Sequence, residues 1–163
     1  MIQRIQTVYL SLAFIAMALL FAFPLAQFFV DNINNTNGSY VFWITGLKNK
    51  VPDGLNVFNH IIFFPLIIVT VGIAILSLFT IFQYKNRSLQ IKLTSIGVIS
   101  SVALIMSIFF IYIPLIEKKV NIPPYYLDSI GIYLPLVALV FMVLANRAIK
   151  RDDKLVRSAD RLR

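Results

Sequence analysis

Four long apolar runs constrain this chain more than any other feature. They extend from Val8 to Val30, Ile61 to Phe82, Leu93 to Ile116 and Tyr125 to Ala145. A helix rises 1.5 Å per residue, so about 20 apolar residues cross roughly 30 Å of hydrocarbon, and each run reaches that length. None has a Lys or Arg in its interior, as expected where a charge at the bilayer centre costs roughly 2.5–3.5 kcal/mol. A helix on a soluble core would carry a polar face at a 3.6-residue period; these runs are apolar all round. The expected fold is therefore an all-α membrane protein, a four-transmembrane-helix bundle forming one domain over residues 1–163.

Composition agrees. Of 163 residues, 59% are hydrophobic and 13% charged, and there is no cysteine. A soluble domain carries about 25% charged residues, and a disordered chain combines low hydrophobicity with high charge. Without cysteine there is no disulfide scaffold, no thiolate metal site and no cysteine nucleophile. The first run is longer than the roughly 7–15 residues of a signal-peptide core and lacks a small-residue cleavage pattern, so an anchor is expected.

Lys and Arg placement orients the chain. Arg4, Lys85, Arg87, Lys92, Arg147, Lys150, Arg151, Lys154, Arg157, Arg161 and Arg163 fall on one side of the spans. Only Lys48, Lys50, Lys118 and Lys119 fall on the other. Cytoplasmic loops carry the excess of basic residues, which puts both termini in the cytoplasm. The segment 31–60 is then an external loop. It opens on a turn-rich stretch from Asp31 to Ser39. Tyr40 to Ile44 follows as an aromatic, β-branched strand, then a turn at Pro52-Asp53-Gly54 and a returning strand at Leu55 to Phe58. Such a pattern predicts a short external β-hairpin or flap between the first two spans. Pro123-Pro124 gives a stiff entry to the fourth span, and Pro135 is its internal proline, placed to kink it.

Catalytic chemistry finds little support. His60 is the sole histidine and sits beside Asn59 at the external end of the second run. A lone histidine makes no metal site. Asp128 lies near the external start of the fourth run, where a carboxylate caps the helix; a bundle-facing proton or cation site is the alternative. With Trp43, these are the candidate external-face residues. No phosphate loop, Ser-x-x-Lys pair or zinc-hydrolase motif occurs, and no cofactor is expected. Small residues at a spacing of four, Ala18-Ala22-Ala26 and Gly97-Ser101, suggest close helix packing.

The tail, residues 146–163, is the most patterned segment. It contains neither Gly nor Pro, so the fourth helix is expected to continue into the cytoplasm. Its basic residues Arg147, Lys150, Arg151, Lys154, Arg157, Arg161 and Arg163 are interleaved with Asp152, Asp153 and Asp160. Leu155, Val156, Ala159 and Leu162 add a narrow apolar stripe. A basic tail touches anionic lipid by charge alone, but interleaved acids spell a defined surface. These ten charged residues form the candidate docking set for another membrane or cytoplasmic protein. Contact with a ribosome fits the same charge; a direct nucleic-acid reader does not.

The opening Met1-Ile2-Gln3-Arg4-Ile5-Gln6-Thr7, the four spans and the ending RAIKRDDKLVRSADRLR resemble a family of small four-span inner-membrane proteins from Gram-negative bacteria, known as a domain of unknown function. The resemblance covers the whole chain. It implies a multi-pass protein of the bacterial inner membrane and brings no activity or site residues. A partial likeness to claudin-type four-span proteins rests on Trp43, Gly46 and Leu47 in a long first external loop; that family's cysteine pair is missing. The expected function is a non-enzymatic accessory or scaffold subunit of a larger membrane assembly. The alternative is a small-molecule or lipid-binding or transport protein with a pocket between the spans under the external loop.

Overall fold

The computed structural model describes residues 3–30, 38–50, 60–84, 86–120 and 126–160. Helix α1 covers Gln3–Leu19, followed by strands β1 (Ala26–Val30), β2 (Gly38–Trp43) and β3 (Gly46–Asn49). A 3-10 turn at His60–Phe63 leads into α2 (Phe64–Phe82). Helix α3 (Arg87–Ser107) passes through a π-helical segment at Ile108–Tyr112 into α4 (Ile113–Val120). Strand β4 (Tyr126–Asp128) precedes α5 (Ile130–Asp160). Helices α1 and α3 each pack against both α2 and α5, giving a four-cornered bundle.

Three segments are long and apolar enough to cross a membrane: Ile61–Phe82, Arg87–Lys119 and Ile130–Val156. Their large side chains face outward, among them Ile68, Ile75, Phe79, Ile99, Phe110 and Val140. The inward positions of α2 and α3 hold Thr70, Ser77, Thr80, Thr94 and Ser101. Each of these hydroxyls donates to the carbonyl four residues back, at 2.6–3.0 Å. Polar groups are thus satisfied within their own helix, and small residues let the helices approach. Apolar side chains on the outer surface of these helices suit hydrocarbon around them.

The first helix is shorter than its apolar run. Helix α1 ends at Leu19, and the apolar segment Ile5–Leu19 is shorter than the three spanning ones. Three turn hydrogen bonds, Phe21 to Ala18, Ala22 to Leu19 and Phe23 to Leu19, close the helix before Pro24, which has no N–H to continue it. Gln27-Phe28-Phe29-Val30, aromatic and β-branched, then pairs as β1. The Ala18-Ala22-Ala26 stripe is therefore no helix face: Ala18 and Ala22 are exposed, and Ala26 is a strand residue. Gly97 and Ser101 do form a packed stripe; a Cβ on Gly97 would meet the Met142 side chain at 2.7 Å.

The flap at one end of the bundle is a four-stranded antiparallel sheet in the order β3-β2-β1-β4. The tight turn is at Ile44-Thr45, and β3 occupies Gly46–Asn49. Gly46 has φ of 150°, a conformation that suits glycine. The expected turn at Pro52-Asp53-Gly54, the strand at Leu55–Phe58, the loop at 31–37 and Pro123-Pro124 lie outside the described residues. Two strands come from ends of the apolar runs, β1 from the first and β4 from the fourth. The fourth helix accordingly starts at Ile130, not Tyr125, and Pro135 falls in its second turn.

Candidate functional site

The two ends of the bundle carry the candidate residues. At the sheet end, Ala26, Phe28, Tyr40 and Phe42 share the inner face, in the pairs Ala26–Phe42 and Phe28–Tyr40. All four are buried. Phe42, Phe63 and Tyr112 form an aromatic triangle with centroids 5.7–6.3 Å apart, and the Tyr112 hydroxyl donates to the Ile62 carbonyl at 3.0 Å. Strand, 3-10 turn and π segment are thereby fastened together. Trp43 lies on the outer face, half-buried, with the Lys48 ammonium 4.4 Å from its ring centroid. His60 opens the 3-10 turn, and Asp128 ends β4 paired with Ala26. The residue preceding α5 is Ser129 rather than Asp128. In the first turn of α5, the Gly131 N–H donates to the Pro24 carbonyl at 3.0 Å. Among the described residues, no three His, Asp or Glu side chains cluster in a way that would hold a metal.

At the opposite end, α5 runs unbroken to Asp160. Asn146 donates to Ser95 at 3.2 Å, and Gln6 to the Ala148 carbonyl at 3.5 Å. Arg87, the first residue of α3, pairs with the Asp152 carboxylate at 3.2 Å and donates to the Asp152 carbonyl at 3.3 Å. Asp152 thus belongs to an internal tie, an interaction between residues 65 apart that spacing alone does not reveal. Around it, Gln6, Tyr84, Arg87, Gln90 and Asp152 line a cavity of about 430 Å³ between the four helices. Gln90 is itself held there by donating to the Thr80 carbonyl at 3.2 Å.

Beyond Asp152 the helix leaves the bundle. Lys150, Arg151 and Lys154 are exposed, as are Leu155 and Val156, at 50% and 39%. Arg157 and Asp160 lie on the same helix, while Arg161 and Arg163 are outside the described residues. A second groove, about 460 Å³, runs between α1 and α5 on the outside of the bundle, past Arg147 and Arg151.

These features define a helical protein with three helices fit to cross a membrane and a small sheet across one end. Residues 2–162 match a family described as a domain of unknown function (DUF4293), and the chain belongs to that family. No curated protein matches the chain.

Proposed function

We propose that this protein is a non-enzymatic subunit of the bacterial inner membrane, with α1 as a fourth, short span and both termini cytoplasmic. Its α5 tail docks a partner protein. The observation that carries this reading is the course of α5. The helix is tied to the bundle at Asp152 and then continues with Leu155 and Val156 exposed among Arg151 and Lys154. Apolar side chains at the centre of a charged, helical surface are what a protein partner buries and what a purely electrostatic tail does not need. The lysine and arginine asymmetry supports the orientation. Reporter fusions after Asn35 and after Arg163 should report opposite sides of the membrane; the same side for both would overturn the topology.

The docking reading is tested by exchanging Asp153 and Arg157. The net charge stays constant, and the helix loses only a few tenths of a kcal/mol. A protein co-purifying stoichiometrically with the wild type should be released, with insertion intact, because misplaced charges in a desolvated interface cost about 2 kcal/mol or more. Retention of that protein by the exchanged variant, or a lone monomer in every mild detergent, would sink the reading.

The pocket alternative keeps one observation in its favour: the 430 Å³ cavity with two buried glutamines in its lining. It lies at the tail end of the bundle, across the membrane from Trp43 and the sheet. Tight binding of a polar solute that Gln90→Leu abolishes would favour it over docking.

A further inference from the structure

We propose that the groove between α1 and α5 is a binding site for one anionic phospholipid of the inner leaflet, with Arg147 and Arg151 holding its phosphate. Four observations converge on it. The two arginines are four residues apart, so they stand one above the other on one face of α5. Both are exposed, and among the described residues neither forms an ion pair with a carboxylate. Two forked guanidiniums on one phosphate make charge-assisted, bidentate bonds that lysine cannot copy.

Depth is the second observation. Arg147 and Arg151 lie 17 and 21 residues beyond Ile130, where α5 begins. At 1.5 Å per residue that is about 26 and 32 Å along the helix, the level at which the hydrocarbon gives way to headgroups. The third is the lining. Ile5 and Tyr9 form the α1 wall, Leu144 lies below the arginines, and the small Ala148 lies between the walls. The Tyr9 ring is fixed by stacking on Phe141, with centroids 6.4 Å apart. Ile5, Tyr9, Leu144 and Leu155 thus make the groove largely apolar, as an acyl chain requires, and the two exposed guanidiniums stand at its solvent side. The fourth is size: about 460 Å³ accommodates a phosphoglycerol group and the upper part of a chain. The groove shares Arg151 and Leu155 with the docking surface, and its inner-leaflet assignment rests on the topology proposed above; its test reads lipid retention by the chain without any partner protein, so the two readings fail separately.

The experiment is native mass spectrometry of the full chain released from micelles doped with phosphatidylglycerol or phosphatidylcholine. One phosphatidylglycerol should stay bound, and phosphatidylcholine should be lost at the same activation energy. The double variant R147Q/R151Q should weaken phosphatidylglycerol retention at least tenfold. The variant K150Q/K154Q, with the same charge change on other positions of α5, should weaken it less than twofold. Ala148→Leu keeps every charge and fills the groove, so it should also lose the lipid. Equal loss in the two charge variants, or full retention in Ala148→Leu, would overturn the proposal in favour of diffuse attraction. If sn-glycerol 1-phosphate or inorganic phosphate at millimolar concentration displaces the lipid, the site is one for free phosphate and the proposal also fails.

Discussion

The two ends of this bundle are stabilised by different physics. At the sheet end, backbone hydrogen bonds and buried aromatic rings dominate: β1 pairs with both β2 and β4, and Phe42, Phe63 and Tyr112 interlock. At the tail end, the ties are a partly exposed ion pair and three side-chain amides reaching between helices. Apolar packing is close-ranged and is not screened by salt, whereas a partly exposed ion pair is weaker and partly screened. The sheet end is therefore the rigid one, and the tail end is the one that a partner, a lipid or salt can reorganise.

That contrast can be broken most forcefully at Phe42, which is fully buried. Phe42→Ala should cost about 3–5 kcal/mol by truncating the centre of the triangle, read as a fall in the midpoint of unfolding in mixed micelles. A loss below 1 kcal/mol would mean the sheet is not the stable end. Next is Gly131, where an added Cβ would lie 2.3 Å from the Pro24 carbonyl oxygen. Backbone cannot yield as a side chain does, so Gly131→Ala should cost about 3 kcal/mol, the upper range for overpacking, whereas Gly97→Ala, against the mobile end of Met142, should cost far less. Thermal unfolding of the two variants side by side checks the order. Tyr112→Phe removes one hydrogen bond and leaves the Ile62 carbonyl without that donor, for about 1 kcal/mol. The smallest effect belongs to the tail end. Asp152→Asn should lower global stability by no more than about 1 kcal/mol. It should nonetheless raise amide exchange selectively over residues 153–160, and moderate salt should do the same to the wild type. Exchange rising at the sheet instead would reverse the comparison.

How legible each end was follows from the same physics. Helices α2 and α3 and the body of α5 were legible because long apolar runs without a polar face favour a helix fit to cross a membrane. The end of the first run was not: Leu20 to Val30 is apolar in either conformation, and a short aromatic, β-branched run does not distinguish helix from strand. Pro24 was the available signal. The strand at Tyr40 to Ile44 was legible, but its turn at Ile44-Thr45 was not, because that pair has no turn chemistry and only Gly46 marks it. The helical continuation of the tail was legible from its lack of Gly and Pro. Its inner tie was not, because Arg87 and Asp152 meet only through the packing of α3 against α5. The groove at Arg147 is hidden in the sequence for a similar reason: its second wall, Ile5 and Tyr9, comes from α1.

The π segment bears on how the two ends are kept in step. There the Ile113 N–H donates to the Ile108 carbonyl, five residues back, and Pro114 follows at once. Such a turn holds one residue more than an α-helical turn, so everything beyond it is rotated by about 100° relative to an uninterrupted helix. Gly97, Ser101 and Leu104 point inward before it; the consecutive pair Tyr112 and Ile113 points inward at and after it. The segment works as a phase shifter, letting one helix serve two differently oriented neighbours. Removing a single residue from 108–112 would leave a span as apolar and nearly as long. Yet it would swing either Tyr112 or the face beneath it toward lipid, uncoupling the sheet from the bundle without touching either.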